Sequence, residues 1–393
     1  MPAILKILCF TGSRAEYYIL RPLLKKISNL ENINLKLIVS GGITKEINKK
    51  TIKDIRNDKI EILSILDIPE RHYHHSEKIG FLCLELSPII NKFNPNLCIV
   101  YADRFESFAF ATTATHLDKV LLHIEAGDIT EGGTYDDFIR HCITKMSHLF
   151  CTSTKSGLKI LSRLGEDSWR SIQSGLLSYD DMQLITEEDK SLVINELKIN
   201  DNLPIIIATM HSIPKDLEKT KNESINFFSA LKKFSDKNDA HIFITGPNSD
   251  NGNQFIIENI NLFLDEIRNA LYFESLGGFR YQTLMSLSSV RSVIVCGNSS
   301  SIIKEAPFYK AHSLNIGSRQ KGRESASTQI DCEANELEII ENLERLILFQ
   351  NTSCINPYYV KNASDKVVDF ILKIFENYSE EEILDKKWNR DKD

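Results

Sequence analysis

Long apolar runs are missing from this 393-residue chain, and so is any excess of positive charge. No uninterrupted apolar stretch is long enough to cross a bilayer, and Met1–Phe10 gives way to polar residues too soon for a signal peptide. A formal net charge of -7 gives no support to a nucleic-acid surface, although backbone N–H groups and a few arginines can still hold a phosphate locally. Cysteines lack a pairing pattern: none of Cys9, Cys83, Cys98, Cys142, Cys151, Cys296, Cys332 and Cys354 forms a CxxC. Four of them, Cys9, Cys98, Cys151 and Cys296, lie in or beside apolar runs, which suits buried thiols in a reducing compartment better than disulfides or zinc. GxGxxG and GxxxxGK(S/T) are absent as well, so a nicotinamide site and a P-loop nucleoside-triphosphatase are unsupported. The expectation is a cytoplasmic globular protein, without membrane or nucleic-acid partners, long enough for two domains.

What is present is an alternation of short apolar runs with polar or helical segments. Ile4 to Phe10, Ile33 to Val39, Leu97 to Tyr101, 120–124 and Leu149 to Thr152 read as strands, with one more closed by Ser174-Gly175. Pro204 to Met210, His241 to Thr245, Ala270 to Phe273, Ser292 to Cys296 and Ser313 to Ile316 repeat the pattern. Their runs are continuous, as in parallel sheets covered on both faces. Residues 43–76 are only partly readable. Thr186 is a plausible cap for a helix over 187–197, near the hinge between domains, and Val367, Val368, Phe370, Ile371 and Ile374 make an amphipathic C-terminal helix. The simplest layout is α/β: two doubly wound, Rossmann-like sheets facing across a cleft. The domains would be 1–182 and 183–365, with a helix in 366–393.

Candidate chemistry lies in the loops after these strands. His123-Ile124-Glu125-Ala126-Gly127-Asp128 ends a buried strand in a carboxylate, a turn and then a charged helix start, the usual construction of sites in open α/β sheets. Asp103 and Glu125 each follow a buried strand, twenty-two residues apart, so adjacent parallel strands would bring both to one sheet edge. Asp136 and Arg140 are one helical turn apart, as are Asp137 and His141, and Thr134 fits an N-cap with Asp137 at N3. Such carboxylates stay ionised, which suits a base or a positioning role, with capping as the alternative for Asp137. Gly12-Ser13-Arg14 before a helix is a plausible anion cradle, weighed against an ordinary helix entry. Gly297-Asn298-Ser299-Ser300-Ser301 offers more hydroxyls than capping requires, and Glu305 follows at a spacing suited to ribose hydroxyls. Arg319, Lys321 and Arg323 concentrate three cations beside two glycines. His211, after the strand 204–210, can donate to phosphate or support a neighbour. Arg71-His72-Tyr73-His74-His75 could bind a metal, but a polar loop is the preferred reading.

Taken together, Thr11-Gly12-Ser13-Arg14-Ala15-Glu16-Tyr17, Ala102-Asp103-Arg104-Phe105-Glu106, the His123–Asp128 segment, Asp136-Asp137-Phe138-Ile139-Arg140-His141, Gly297-Asn298-Ser299-Ser300 and Arg319-Gln320-Lys321-Gly322-Arg323 resemble the hydrolysing UDP-N-acetylglucosamine 2-epimerases of bacterial sialic acid synthesis. The similarity covers nearly the whole chain. It implies a glycosyltransferase-B-like fold whose C-terminal helix returns to the first domain, a homodimer or homotetramer, and no cofactor or metal. It also implies roles: Arg14, His211, Ser299 and Ser300 on the diphosphate with Arg319 and Arg323 nearby, Glu305 on the ribose. Asp103, Glu125 and Asp136 or Asp137 would be catalytic, Asp136 being slightly preferred. The implied reaction converts UDP-N-acetylglucosamine to N-acetylmannosamine and UDP through a 2-acetamidoglucal. The alternative is the same reaction on UDP- or GDP-N,N'-diacetylbacillosamine in legionaminic acid synthesis. A glycosyltransferase on the same architecture and a non-catalytic nucleotide-sugar-binding protein are the other readings. The chain departs from the family's usual residues at Ala102 and Ala126, where glycine is common, and at Ser212, where proline follows the histidine.

Overall fold

A computed structural model describes residues 4–45, 49–72, 74–130, 136–182, 185–199, 203–248, 250–267, 269–349 and 353–387. Among these described residues, the first unit holds seven strands, β1 (Leu5–Thr11), β2 (Ile33–Ser40), β3 (Ile62–Leu66), β4 (Leu97–Tyr101), β5 (Val120–Ile124), β6 (Leu149–Thr152) and β7 (Ser171–Gln173). The second holds six, β8 (Ile205–Thr209), β9 (His241–Thr245), β10 (Ala270–Phe273), β11 (Val293–Gly297), β12 (His312–Ile316) and β13 (Gln329–Cys332). Every pairing is parallel, in the orders β3-β2-β1-β4-β5-β6-β7 and β10-β9-β8-β11-β12-β13.

The continuous apolar runs exist because both faces of each sheet are covered. Along β1, Leu5, Ile7 and Cys9 pack with the helix Arg14–Ser28 and with Val367 and Ile371 of the helix Ala363–Asn377. Leu8 and Phe10 point the other way, toward the helices His75–Phe93 and Phe105–His116. The second sheet divides likewise: Ile206 and Ala208 meet Phe227 and Leu231 on one face, while Ile205 and Ile207 meet Val193, Leu197 and Leu284 on the other. The helix Glu187–Leu197, capped by Thr186 in a reciprocal box with Asp189, therefore packs in the second core. Cys9, Cys98, Cys151 and Cys296 are buried free thiols, and burial raises each above its ordinary pKa. Among the described residues, no helix is long and apolar enough to cross a membrane.

Two strands went unread in the sequence. β3 is an edge strand whose residues are mostly half-exposed, and β13 is a short polar edge, Gln-Ile-Asp-Cys, so neither presents a continuous apolar run. The polar-loop reading of 71–75 needs correction at its end. His75 opens the helix His75–Phe93, where Glu77 accepts from the His74 backbone N–H at 3.0 Å, and the His75 ring stacks on Phe105 at 4.4 Å. Tyr73 and the proposed cap Thr134 lie outside the described residues.

Each sheet reverses its order at one place, where Arg14 follows β1 and Asp103 follows β4, and where His211 follows β8 and Ser299 follows β11. In the first sheet β1 lies between β2 and β4. In the second, β8 lies between β9 and β11. The loops leaving the C-terminal ends of such strands frame the usual binding crevice of a doubly wound sheet.

Candidate functional site

The first sheet edge is built around buried charge. Beyond β4 and β5, Ala102 and Glu125 both take left-handed backbone angles, φ 51° and 61°. The strand ladder runs into this turn, since Ala102 N–H donates to Ile124 O at 3.0 Å, and Asp103 follows directly. His123 is fully buried between Ala102 O (2.8 Å from Nε2) and Thr144 Oγ1 (3.1 Å from Nδ1). Burial depresses it to about 4, so it is a neutral strut rather than an acid or base near neutral pH.

The helix Asp136–Met146 supplies the opposing group. Arg140, 3% exposed, reaches back to form an ion pair with Asp103, a 3.0 Å pair with Asp137 and a 3.1 Å hydrogen bond to Asp128 O. His141 lies 3.6 Å from the other Asp137 oxygen. Glu125 is 5% exposed and hydrogen-bonded with Tyr101, whose phenol is pushed well up by burial and by the Glu125 charge. Asp128 accepts from Ser153 Oγ at 3.3 Å. The structure thus joins Asp103 to Asp137 through one guanidinium. It sets Asp136 at the helix start, close enough for its charge to be felt by Arg104.

Arg14 stands exposed at the start of the helix Arg14–Ser28. Its loop is held by Glu16, which accepts from the Gly12 and Ser13 backbone at 2.6 and 3.1 Å while Ser13 caps the helix. Burial lifts the Glu16 carboxyl to about 7 against the opposing Arg104 charge. Gly41 fits only without a side chain, because a Cβ there would lie 2.3 Å from Gly12 O.

The second sheet edge is built mostly from neutral donors. Asn298, fully buried, accepts from His211 N–H at 2.7 Å and donates to His211 O at 2.9 Å, so the loops after β8 and β11 are stitched together. Its own carbonyl takes Arg319 Nη1 at 3.2 Å and Gln320 Nε2 at 3.0 Å. The approach that permits this needs Gly297, at φ 120°, where a Cβ would lie 2.0 Å from Thr209 O. His211 Nδ1 accepts from Asn248 N–H at 3.1 Å, which leaves Nε2 carrying the proton of the neutral ring. Burial, with Arg319 as second cause, lowers this histidine to about 3.

Ser299 caps the helix Ser300–Lys304 and accepts from Ser301 Oγ at 3.0 Å, and Ser301 Oγ meets the Tyr281 hydroxyl at 2.7 Å. Ser300 stands exposed beside them. Glu305 follows that helix, and burial raises its carboxyl to about 7 with Lys304 opposing. Arg323 is half-buried, with Nε and Nη1 lacking a hydrogen-bond partner in this structure. Among the described residues, no group of three or more histidines, cysteines or carboxylates is arranged to hold a metal ion.

Arg140, Glu16, Asn298 and Tyr281 were not among the sequence candidates. Ser13-x-x-Glu16 is a legible capping box, and Arg140 has helical spacing to Asp136, but its longer-range partner Asp103 leaves no local trace.

Comparison with known proteins fits this geometry. The chain is 31% identical over 363 residues to the GDP/UDP-N,N'-diacetylbacillosamine 2-epimerase (hydrolyzing) of Campylobacter jejuni, covering 88% of this chain and 89% of that one. It is also 31% identical to the polysialic acid biosynthesis protein P7 of Escherichia coli, covering 93% of each. The crystal structure of the UDP-GlcNAc 2-epimerase from Neisseria meningitidis bound to UDP-GlcNAc shares the fold, with a TM-score of 0.79 at 19% identity over 94% of this chain and 100% of that one. The fold is thus the glycosyltransferase-B-like pair of doubly wound units. Residues 25–372 match the family described as UDP-N-acetylglucosamine 2-epimerase, so the chain belongs to that family and is a hydrolysing nucleotide-sugar 2-epimerase.

Proposed function

We propose that the substrate is a nucleotide-linked N,N'-diacetylbacillosamine and the product its C2-epimeric free sugar. The observation that carries this over UDP-N-acetylglucosamine is the 31% identity, across 88% of the chain, to an enzyme named for that diacetamido sugar. UDP-N-acetylglucosamine, the first expectation from the sequence, becomes the second reading. The equally similar Escherichia coli relative, named for polysialic acid biosynthesis, keeps it in play.

In this reading a carboxylate takes the C2 proton as the C1–O bond breaks. The bonding pair leaves with the nucleoside diphosphate and a C1=C2 double bond forms. Water then adds, hydroxyl to C1 and proton to C2 on the opposite face, releasing the free sugar. The C2 proton is weakly acidic, so departure of the diphosphate must run ahead of its removal, and preorganised donors lower that barrier most. The His211 Nε2–H, the Ser299 and Ser300 hydroxyls, Arg14, Arg319 and Arg323 take that role, and Glu305 binds ribose hydroxyls. Asp103, Glu125 and the Asp136/Asp137 pair divide the roles of base and of acid or water-activating group. Arg140 pairs with both Asp103 and Asp137 and so fixes the two carboxylates relative to each other. The assembly implied by the resemblance is a homodimer or homotetramer, which light scattering after gel filtration checks.

The test is incubation in D2O with UDP-N,N'-diacetylbacillosamine, its GDP form and UDP-N-acetylglucosamine in turn, followed by proton NMR. Free C2-deuterated epimer from a bacillosamine nucleotide supports the proposal. Release only from UDP-N-acetylglucosamine overturns it in favour of the second reading. Transfer of sugar to an acceptor, without free epimer, would return the chain to glycosyltransferase chemistry.

A further inference from the structure

The helix that carries Asp136, Asp137 and Arg140 ends against the C-terminal segment of the chain. Lys386 Nζ donates to Lys145 O and to Ser147 O, both at 2.7 Å, at the C-terminal end of the helix Asp136–Met146. The same ammonium lies 3.2 Å from Glu166 Oε1 and 5.4 Å from the centroid of the Phe150 ring in β6. Lys145 Nζ shares that carboxylate at 2.7 Å. A cation at a helix C-terminus satisfies carbonyls that have no intrahelical donor and complements the helix dipole. This one arrives from 239 residues away in sequence.

The segment delivering Lys386 is itself fixed. Arg170, 2% exposed, donates to Ile383 O at 2.6 Å, Asp385 O at 3.3 Å and Glu382 O at 3.4 Å, gathering the end of the helix Glu380–Leu384. It also reaches His148 O at 3.3 Å, and its guanidinium stacks 4.1 Å over Trp169, which in turn stacks on Tyr378 at 4.1 Å. Burial brings the Lys386 ammonium down to about 8 against the favourable Glu166 charge, with Lys145 and Arg170 adding to the depression. His148 is held neutral, near 4, by burial first and by Lys386 and Arg170 next. Two lysines thus converge on one buried carboxylate, with the Arg170 charge close enough to feel it. So costly an arrangement is more than an ordinary surface tail requires.

We propose that Lys386 is a positioning residue for catalysis: by capping the helix Asp136–Met146 from its far end, it sets the height and tilt at which Arg140 meets Asp103 and Asp137. It touches no substrate. The proposal rests on the reading of those carboxylates as catalytic, which Asp103→Asn and Asp137→Asn test separately. If both variants keep full turnover, that reading fails. If either loses turnover and the Lys386 variants do not, only the clamp fails.

Lys386→Met keeps the stem and removes the ammonium. Expected are a fall in kcat of roughly fivefold to tenfold, a UDP dissociation constant unchanged by titration calorimetry, and faster amide exchange over 140–147 with the helix Arg14–Ser28 unaffected. Lys386→Arg should recover part of the lost kcat. Unchanged kcat, with or without faster exchange, overturns the proposal, because the cap is then structural only. Equal losses of kcat and UDP affinity overturn it too. If Lys386→Met does not fold, Glu166→Gln keeps Lys386 but removes its carboxylate partner. It should lower kcat by a smaller factor, and no change there overturns the proposal.

Discussion

The two sheet edges solve different problems with different chemistry. The first concentrates charge, with Asp103 and Asp137 on one buried arginine, Glu125 under a tyrosine and Glu16 beside Arg104. The second offers a neutral histidine, a buried amide and a chain of hydroxyls, with Arg319 donating to the Asn298 carbonyl. A proton-moving edge needs groups that can change charge. An anion-holding edge works better with fixed dipoles, which stabilise a departing diphosphate without reorganising. On this division, a change to the first edge's carboxylates should lower kcat and spare affinity, and a change at the second edge should do the reverse.

The sharpest test is Glu125→Gln. It removes an ionisable group without changing volume, and turnover should fall about a thousandfold with UDP binding intact by calorimetry. Loss of both together would mean that Glu125 holds the fold rather than the chemistry. Arg140→Ala comes next and acts on stability as well. It strips the shared cation from Asp103 and Asp137 and costs roughly 3 kcal/mol, read as a lower urea midpoint at an unchanged slope. Restoration by Arg140→Lys should be poor, since one ammonium cannot serve two carboxylates and the Asp128 carbonyl in the same geometry.

These two residues show where sequence reading succeeds and stops. Glu125 was legible because a continuous apolar strand delivers it to an edge, and β4 beside β5 then places Asp103 there too. Arg140 was seen only as a helical neighbour of Asp136. Its partner Asp103 is 37 residues away, and long-range pairing leaves no periodicity to read. Asn298 was hidden in a different way. Beside three serines, which carried the reading of that loop, it drew no role of its own, whereas the structure makes it the link between His211 and Arg319. The sheets were legible except at their edges, where β3 and β13 are too exposed to keep an apolar run.

At the second edge the expected effects are on affinity. Asn298→Ala removes the side-chain amide that holds the His211 backbone, while the main-chain carbonyl that takes Arg319 remains, and UDP should bind about tenfold more weakly with kcat nearly kept at saturation. A pH experiment is subtler. His211 falls to about 3 in the folded chain from the ordinary 6.5, so between those values the unfolded chain binds a proton that the folded chain refuses. Its contribution is fully present above pH 6.5 and is lost as pH falls through that window, by at most about 1.4 kcal/mol per pH unit. His211→Asn should flatten part of that slope in melting temperature against pH. His123 and His148, both near 4, add to that slope between 6.5 and 4, while Glu16 and Glu305, both raised to about 7, oppose it between 4.5 and 7.

The smallest effect tests whether the first edge holds its backbone under strain. Ala102 sits at φ 51° directly before Asp103, in a region where a Cβ costs about 1 kcal/mol or more. Ala102→Gly removes that cost but gives the unfolded chain more freedom, worth roughly 0.5–1 kcal/mol in the other direction. The two nearly cancel, so the urea midpoint should move little, with a slight gain if strain dominates. Activity separates the alternatives better than stability does. Ala102 O anchors His123 Nε2, and Ala102 N is tied to Ile124 O, so the turn is held from both sides whichever residue occupies it. Turnover should therefore stay within about twofold of the parent. A larger fall would mean that the alanine methyl, 5% exposed in the core beside β4, fixes the Asp103 carboxylate in a way these two hydrogen bonds do not.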